Sequence, residues 1–222
     1  MSSQIQNKAT IIIQKTIRKF LYKKYKKDYK FYIQSLMLCE KDIFEKSKTK
    51  ALKDVVGDAY EEHRKRLWMN FGFDANRKEK NNSMGFNVDI IVRNNIQNNI
   101  CVLEETKGHY LDSCFMERAI IGFAKTISKH KVRDNECPLL LIHSFTKYKR
   151  FNEKLDEIYS VLHPNIVDIL KNKLRYTTIA NSDRLAKKKW FKKDVQNHPY
   201  LDNYNINQII QDIIYIKNIT KK

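Results

Sequence analysis

The chain has 222 residues, 42% of them apolar, with only 5 glycines and 3 prolines, so it can bury one sizeable core and is neither wholly disordered nor built on long flexible linkers. Its 43 Lys and Arg against 25 Asp and Glu leave a net charge of +18, which favours a polyanionic partner, although the richness in Lys, Asn and Ile suggests an AT-rich genome that inflates lysine. With no run of 18 apolar residues, no signal-peptide-like start and four scattered cysteines (Cys39, Cys101, Cys114, Cys137) lacking a C-x-x-C, the sequence predicts an intracellular protein of cytoplasm or nucleus, with no membrane span, no disulfide framework and no zinc site.

Residues 4–48 read as one or two basic helices. Ile13, Ile17, Phe20 and Leu21 form an apolar stripe, and Arg18, Lys19, Lys23, Lys24, Lys26 and Lys27 crowd the other positions. The segment IQKTIRKFLYKK resembles a partial IQ motif, the helix that calmodulin-like proteins grip. Ile13, Gln14, Arg18 and Lys23 match it, and Lys19 stands where glycine is usual. Such a helix equally suits a membrane surface, a phosphate-binding arm or packing on a core. We take 1–52 as a basic helical N-terminal extension and 53–222 as the main domain with a C-terminal helical and basic elaboration.

Asp54 to Gly72, DVVGDAYEEHRKRLWMNFG, predicts a helix. Val56, Tyr60, Leu67, Trp68 and Phe71 recur near helical spacing, Gly72 suits the stop, and Gly57 and Glu61 share a face. Residues 74–84 are polar and read as a loop, with room for an added strand near Gly85.

Asn87 to Lys107, NVDIIVRNNIQNNICVLEETK, reads as two apolar strands joined by an Asn-rich turn. Strand residues alternate faces, so Glu105 and Lys107 point the same way. A turn centred on Gln97 puts Asp89 opposite Glu105. Like charges facing each other across strands are destabilising, and a bound divalent cation would explain the pair, since hard cations take carboxylate oxygens. A neighbouring lysine could orient or deprotonate water, or offset charge in a transition state.

Gly108 is read as breaking that strand, with Asp112 or Ser113 capping a helix whose stripe is Met116, Ile120, Phe123 and Ile127. His109 and Asp112 could touch a phosphate or a water near a metal and Arg118 could reach a DNA phosphate, but they read first as connection, cap and helix-surface charge. Pro138 to Phe145 suits a buried central strand, with His143 as a satisfied core residue. A helix from Phe151 to Leu162 is broken by Pro164, a second piece runs near Ile166 to Leu170, and Arg175 to Ala180 is a further strand. Arg184 to Lys193, RLAKKKWFKK, interleaves aromatics with Arg184, Lys187, Lys188, Lys189, Lys192 and Lys193. Those cations could neutralise phosphates while Trp190 and Phe191 pack or stack, as could Arg18 and Lys23 on the first helix. Ile206 to Ile216 suits a closing helix.

An Asp followed by Glu-x-Lys on an adjacent strand resembles the PD-(D/E)XK nuclease superfamily, which includes type II restriction endonucleases and some homing endonucleases. Asp89, Glu105 and Lys107 match, with Val88 where the name-giving proline would stand. The resemblance spans about residues 53–147 and implies an α/β fold with a restriction-endonuclease-like mixed β-sheet core flanked by helices. It further implies Mg²⁺-dependent hydrolysis of duplex DNA, with Mn²⁺ able to substitute, and a site-specific enzyme of restriction or homing type. In that frame Asp89 and Glu105 hold the metal, with a carbonyl or side chain at Leu103 or Glu104 as an extra ligand. Lys107 activates water or stabilises developing charge. Glu61, with Glu62 as second choice, matches the helix glutamate that leans toward the metal. A homodimer stays open. So do two other readings: a non-catalytic nucleic-acid-binding protein with a structural acidic pair, and a regulatory protein bound by a calmodulin-like partner.

Overall fold

The computed structural model describes residues 2–46, 52–77, 87–110, 112–180 and 206–219. Five strands form one mixed sheet in the order β1-β2-β3-β4-β5. They are β1 (Phe73–Arg77), β2 (Ile90–Asn94), β3 (Ile100–Tyr110), β4 (Leu139–Thr146) and β5 (Leu174–Ala180). Neighbours are antiparallel from β1 to β3 and parallel from β3 to β5. The described helices are α1 (Ser2–Lys46), α2 (Leu52–Asn70), α3 (Ser113–His130), α4 (Phe151–Tyr159), α5 (Pro164–Lys173) and α6 (Ile206–Ile219). The expected α/β architecture, a mixed sheet flanked by helices, is present. No described helix is long and apolar enough to cross a membrane.

Alternation along the strands sorts the core into two faces. Ile90, Val92, Val102 and Leu141 pack with Trp68 of α2 and Ile216 of α6. Ile91, Leu103, Leu140 and Ile142 pack with Met116, Ile120 and Phe123 of α3. Each fully buried side chain of this kind contributes about 1.5–3 kcal/mol relative to exposure. The second half of α1 joins the α2 side, burying Tyr29, Tyr32, Ile33 and Leu36 against α2 and α6. Helix α1 is interrupted at Tyr25, whose φ of −105° and ψ of 17° are not helical. Ahead of that point Ile13, Ile17 and Phe20 of its apolar stripe are exposed, and Leu21 is half-buried.

Two local expectations are corrected. Residues from 74 onward do not all form a loop: β1 runs to Arg77, burying Phe73 and Ala75 on alternate positions against α2 and β2. It supplies the added strand, earlier in the chain than Gly85. Gly108 does not break its strand, because β3 continues to Tyr110. A Cβ at Gly108 would lie 2.9 Å from Tyr60 Cβ and 3.0 Å from the Val56 carbonyl oxygen. The glycine is there so that α2 can lie against β3.

Helix α2 is also tied to β3 by charge. Arg64 is fully buried; its Nε donates to Glu104 Oε1 at 2.7 Å and its Nη1 to Asp212 of α6. Trp68 Nε1 and Thr106 Oγ1 also donate to Glu104, and Tyr32 Oη donates to Asp212 at 2.8 Å. Burial opposes the Arg64 charge, but the Asp212 and Glu104 carboxylates outweigh it and hold the guanidinium protonated. One arginine therefore joins α2, β3 and α6, while Tyr32 brings in α1. His143 lies in the same interior, between Tyr60 Oη at 2.9 Å and Thr177 Oγ1, and burial keeps it neutral. It is a satisfied core histidine.

Removing one member of a buried pair strands the other charge, which typically costs about 3–5 kcal/mol. Arg64→Ala should lower the stability of the folded chain by that order in urea unfolding. Arg66→Ala, two residues on in the same helix and paired with half-exposed Glu62, should change it by about 1 kcal/mol or less. Equal effects of the two would mean that the Arg64 network does not hold these elements together.

Candidate active site

Strands β2 and β3 pair with Ile90 opposite Glu104, Ile91 opposite Leu103 and Val92 opposite Val102. All three pairs are symmetric about Gln97, and the register shift beyond Val92 is taken up toward the turn. One step further along this register sets Asp89, the residue before β2, opposite Glu105. The contact is made: a protonated Glu105 donates a hydrogen bond to the Asp89 carboxylate. Asp89 Oδ2 also accepts the Thr106 backbone N–H at 2.9 Å, which fixes it against β3.

Glu105 is the strained member electrostatically. Burial foremost, then the Asp89 charge and hydrogen bond and the Glu61 charge, together push its carboxyl up to about 9 against the opposition of Lys107. Two carboxylates and one ammonium therefore act on Glu105, from the residue before β2, from α2 and from β3 itself. Glu61 is 7% exposed, and Arg77 of β1 donates to its Oε2 from Nη2 at 2.6 Å and from Nε at 3.1 Å. Arg77 is shared with Asp58 at 2.9 Å. Lys107 Nζ sits 4.6 Å from the centre of the Phe115 ring, a cation–π contact that holds the ammonium on the α3 side of β3.

The sequence-predicted residues divide clearly. Asp89, Glu105, Lys107 and Glu61 are brought together. Glu62 is drawn to Arg66 at 3.1 Å. The Glu104 side chain is not an extra ligand: it leaves β3 on the opposite face and is consumed by Arg64, Trp68 and Thr106. Asp112 is the cap of α3, accepting the Phe115 N–H at 2.7 Å. Arg18 and Lys23 lie exposed on the first half of α1. Arg184, Lys187, Lys188, Lys189, Lys192 and Lys193 lie outside the described residues. Arg77 was missed by sequence reasoning, because it looked like part of a polar loop.

Among the described residues no three His, Cys, Asp or Glu side chains already stand at metal-ligand spacing. Asp89 and Glu105 are the pair whose chemistry suits a hard cation, since they share a proton where a divalent ion would supply charge. A cavity of about 580 Å³ opens beside them, walled by Glu105 and Lys107 on β3 and by α3. No protein-family model matches the chain, and no curated protein matches its sequence.

The raised carboxyl has a consequence for stability. The folded chain keeps the Glu105 proton up to about pH 9, whereas an unfolded glutamate releases it near 4.5. Between those values the folded state binds more protons, so its stability falls as pH rises through the window. Glu105→Gln should remove that fall, melting progressively higher than wild type between pH 5 and about pH 9. Mg²⁺ or Mn²⁺ should raise the wild-type melting temperature at pH 8 but not that of the variant. Parallel melting curves across the pH range would show that Glu105 carries no such penalty.

Proposed function

We propose that the chain is a Mg²⁺-dependent endodeoxyribonuclease of the PD-(D/E)XK kind, cutting DNA phosphodiester bonds at specific sites. The observation that carries this reading is the direct contact of Asp89 with Glu105 beside Lys107. The element order α2-β1-β2-β3-α3-β4 supports it, as the helix, Asp strand, Glu-x-Lys strand, helix and strand follow in the expected sequence. The net charge of +18 supports a polyanionic substrate.

Asp89 and Glu105 would hold the cation between them, with Glu61 turned toward the same point and oriented by Arg77. The bound ion would polarise a phosphoryl oxygen and lower the pKa of water. Lys107, held over Phe115, would orient the attacking water or meet the negative charge that grows on the phosphoryl oxygens. The water oxygen would bond to phosphorus and give up a proton to solvent, while the P–O bond to the leaving strand would break and that oxygen would take up a proton from solvent. Arg18, Lys23 and the basic run 184–193 would contribute phosphate contacts, each adding about 0.9 to the salt dependence of binding.

Glu105→Ala and Lys107→Ala should each abolish cleavage of a long, sequence-diverse DNA in Mg²⁺ or Mn²⁺ while leaving DNA binding nearly intact. These groups act on charge that develops in the transition state, whereas affinity comes from phosphate contacts elsewhere. EDTA should stop the wild type. Lys187, Lys188 and Lys189 replaced together by Ala should weaken binding across all sequences and flatten its salt dependence. Wild-type protein that binds DNA but never cuts it, in any metal, would leave a non-catalytic binding protein instead.

A second reading is favoured by the apolar stripe on α1, where Ile13, Ile17 and Phe20 are exposed among basic residues. We propose that a calmodulin-like acidic protein grips it. The full chain should co-elute with calmodulin, and Ile13→Asp with Ile17→Asp should prevent this. Co-elution unchanged by both substitutions would place the contact elsewhere.

A further inference from the structure

We propose that the groove between β3 and α3 is the seat of one DNA strand, whose phosphates are held by Arg118 and Lys125 on either side of Gly122. The inference deepens the nuclease reading and rests on it for the orientation of the strand toward Glu105. Phe115, Arg118, Gly122 and Lys125 recur at three- and four-residue steps, so they form one stripe of α3. That stripe is one wall of the cavity of about 580 Å³, and Glu105 and Lys107 form the other. The groove therefore opens directly onto Glu105.

The charges on that wall favour a polyanion. Arg118 and Lys125 are exposed, and they stand seven residues apart, about 10 Å along the helix axis. Two cations at that separation can each meet a different phosphate of one strand. Glu117, the acidic residue of α3, is turned away and pairs with Lys154 of α4 at 3.4 Å. The amino end of α3 is capped by the Asp112 carboxylate, so phosphate binding falls to the side chains along the helix.

Gly122 is the second observation. Glycine weakens a helix interior, and nothing in the packing requires one here: a Cβ at Gly122 would meet no atom within 4 Å. Gly108, by contrast, is forced by contact with α2. A bare backbone midway between two cations, facing an open groove, makes room for a strand to lie against the helix. The solvated-surface explanation accounts for the two cations, but not for a glycine between them.

The test compares full-length wild type with Gly122→Leu, with Arg118→Ala plus Lys125→Ala, and with Lys129→Ala as a control outside the groove lining. Binding of a labelled single-stranded oligonucleotide and of its duplex is measured in EDTA across a salt series, alongside thermal melting and cleavage in Mg²⁺. Gly122→Leu should melt at or above the wild-type temperature yet bind both DNAs about tenfold or more weakly, and the double variant should lower the salt slope by about two contacts. Lys129→Ala should match wild type. Normal DNA binding and cleavage by Gly122→Leu would overturn the seat while leaving the nuclease reading in place. Lost binding by Gly122→Leu and the double variant, in a protein whose wild type never cuts, would keep the seat and sink the nuclease. Duplex binding weakened with single-strand binding unchanged would overturn the seat as one for a single strand. A wild type that binds neither DNA overturns both.

Discussion

Strand β3 places two adjacent glutamates on opposite faces of the sheet, and much of the molecule is arranged around that difference. Glu104 turns to the α2 side and meets Arg64, Trp68 and Thr106. Glu105 turns to the α3 side and meets another carboxylate. Taking a carboxylate out of water costs several kcal/mol unless hydrogen bonds and an opposite charge offset it. Glu104 has both, and through them it fastens helices to the sheet. Glu105 has neither in sufficient measure, so burial and Asp89 drive it to keep its proton. Identical side chains one residue apart thus serve structure and candidate chemistry.

Helix α2 keeps the two sides in step. Its Arg64 binds Glu104, its Glu61 acts on Glu105, and its Val56 and Tyr60 press on Gly108. These three contacts fall along the last part of β3, where the strand also pairs in parallel with β4. A shift of α2 would disturb the Arg64 network and the site together. The close approach at Gly108 limits such a shift, because backbone and Cβ atoms have no flexible end to give.

The sequence made the periodic elements legible and concealed those that depend on partners far along the chain. Gln97 as the centre of symmetry placed Asp89 opposite Glu105, since both strands are apolar and one-residue slips would turn their side chains to the wrong face. The stripe of α3 and the run of β4 were equally plain. Strand β1 was not, because FDANR has only two inward apolar positions and ends in charge. Arg64 looked like a solvated helix residue, since its partners Glu104 and Asp212 are 40 and 148 residues away. Gly108 was taken for a stop signal for the same reason: what approaches it is a helix nearly 50 residues earlier.

The proposed chemistry would meet the charges around the site with a cation of two charges followed by a phosphodiester. Glu61 already has Arg77, so its charge is largely met within the chain. Asp89 and Glu105 share one proton, and together they carry two charges once that proton leaves. A divalent ion between them would match both, which makes metal binding and loss of the Glu105 proton the same event. Lys107 then remains, facing the groove with its ammonium over Phe115. A single positive charge at the mouth of a neutralised metal site matches the single negative charge of a phosphodiester. In the proposed reaction that match holds the ground state loosely, and it strengthens as charge builds on the phosphoryl oxygens, which is the direction that catalysis requires.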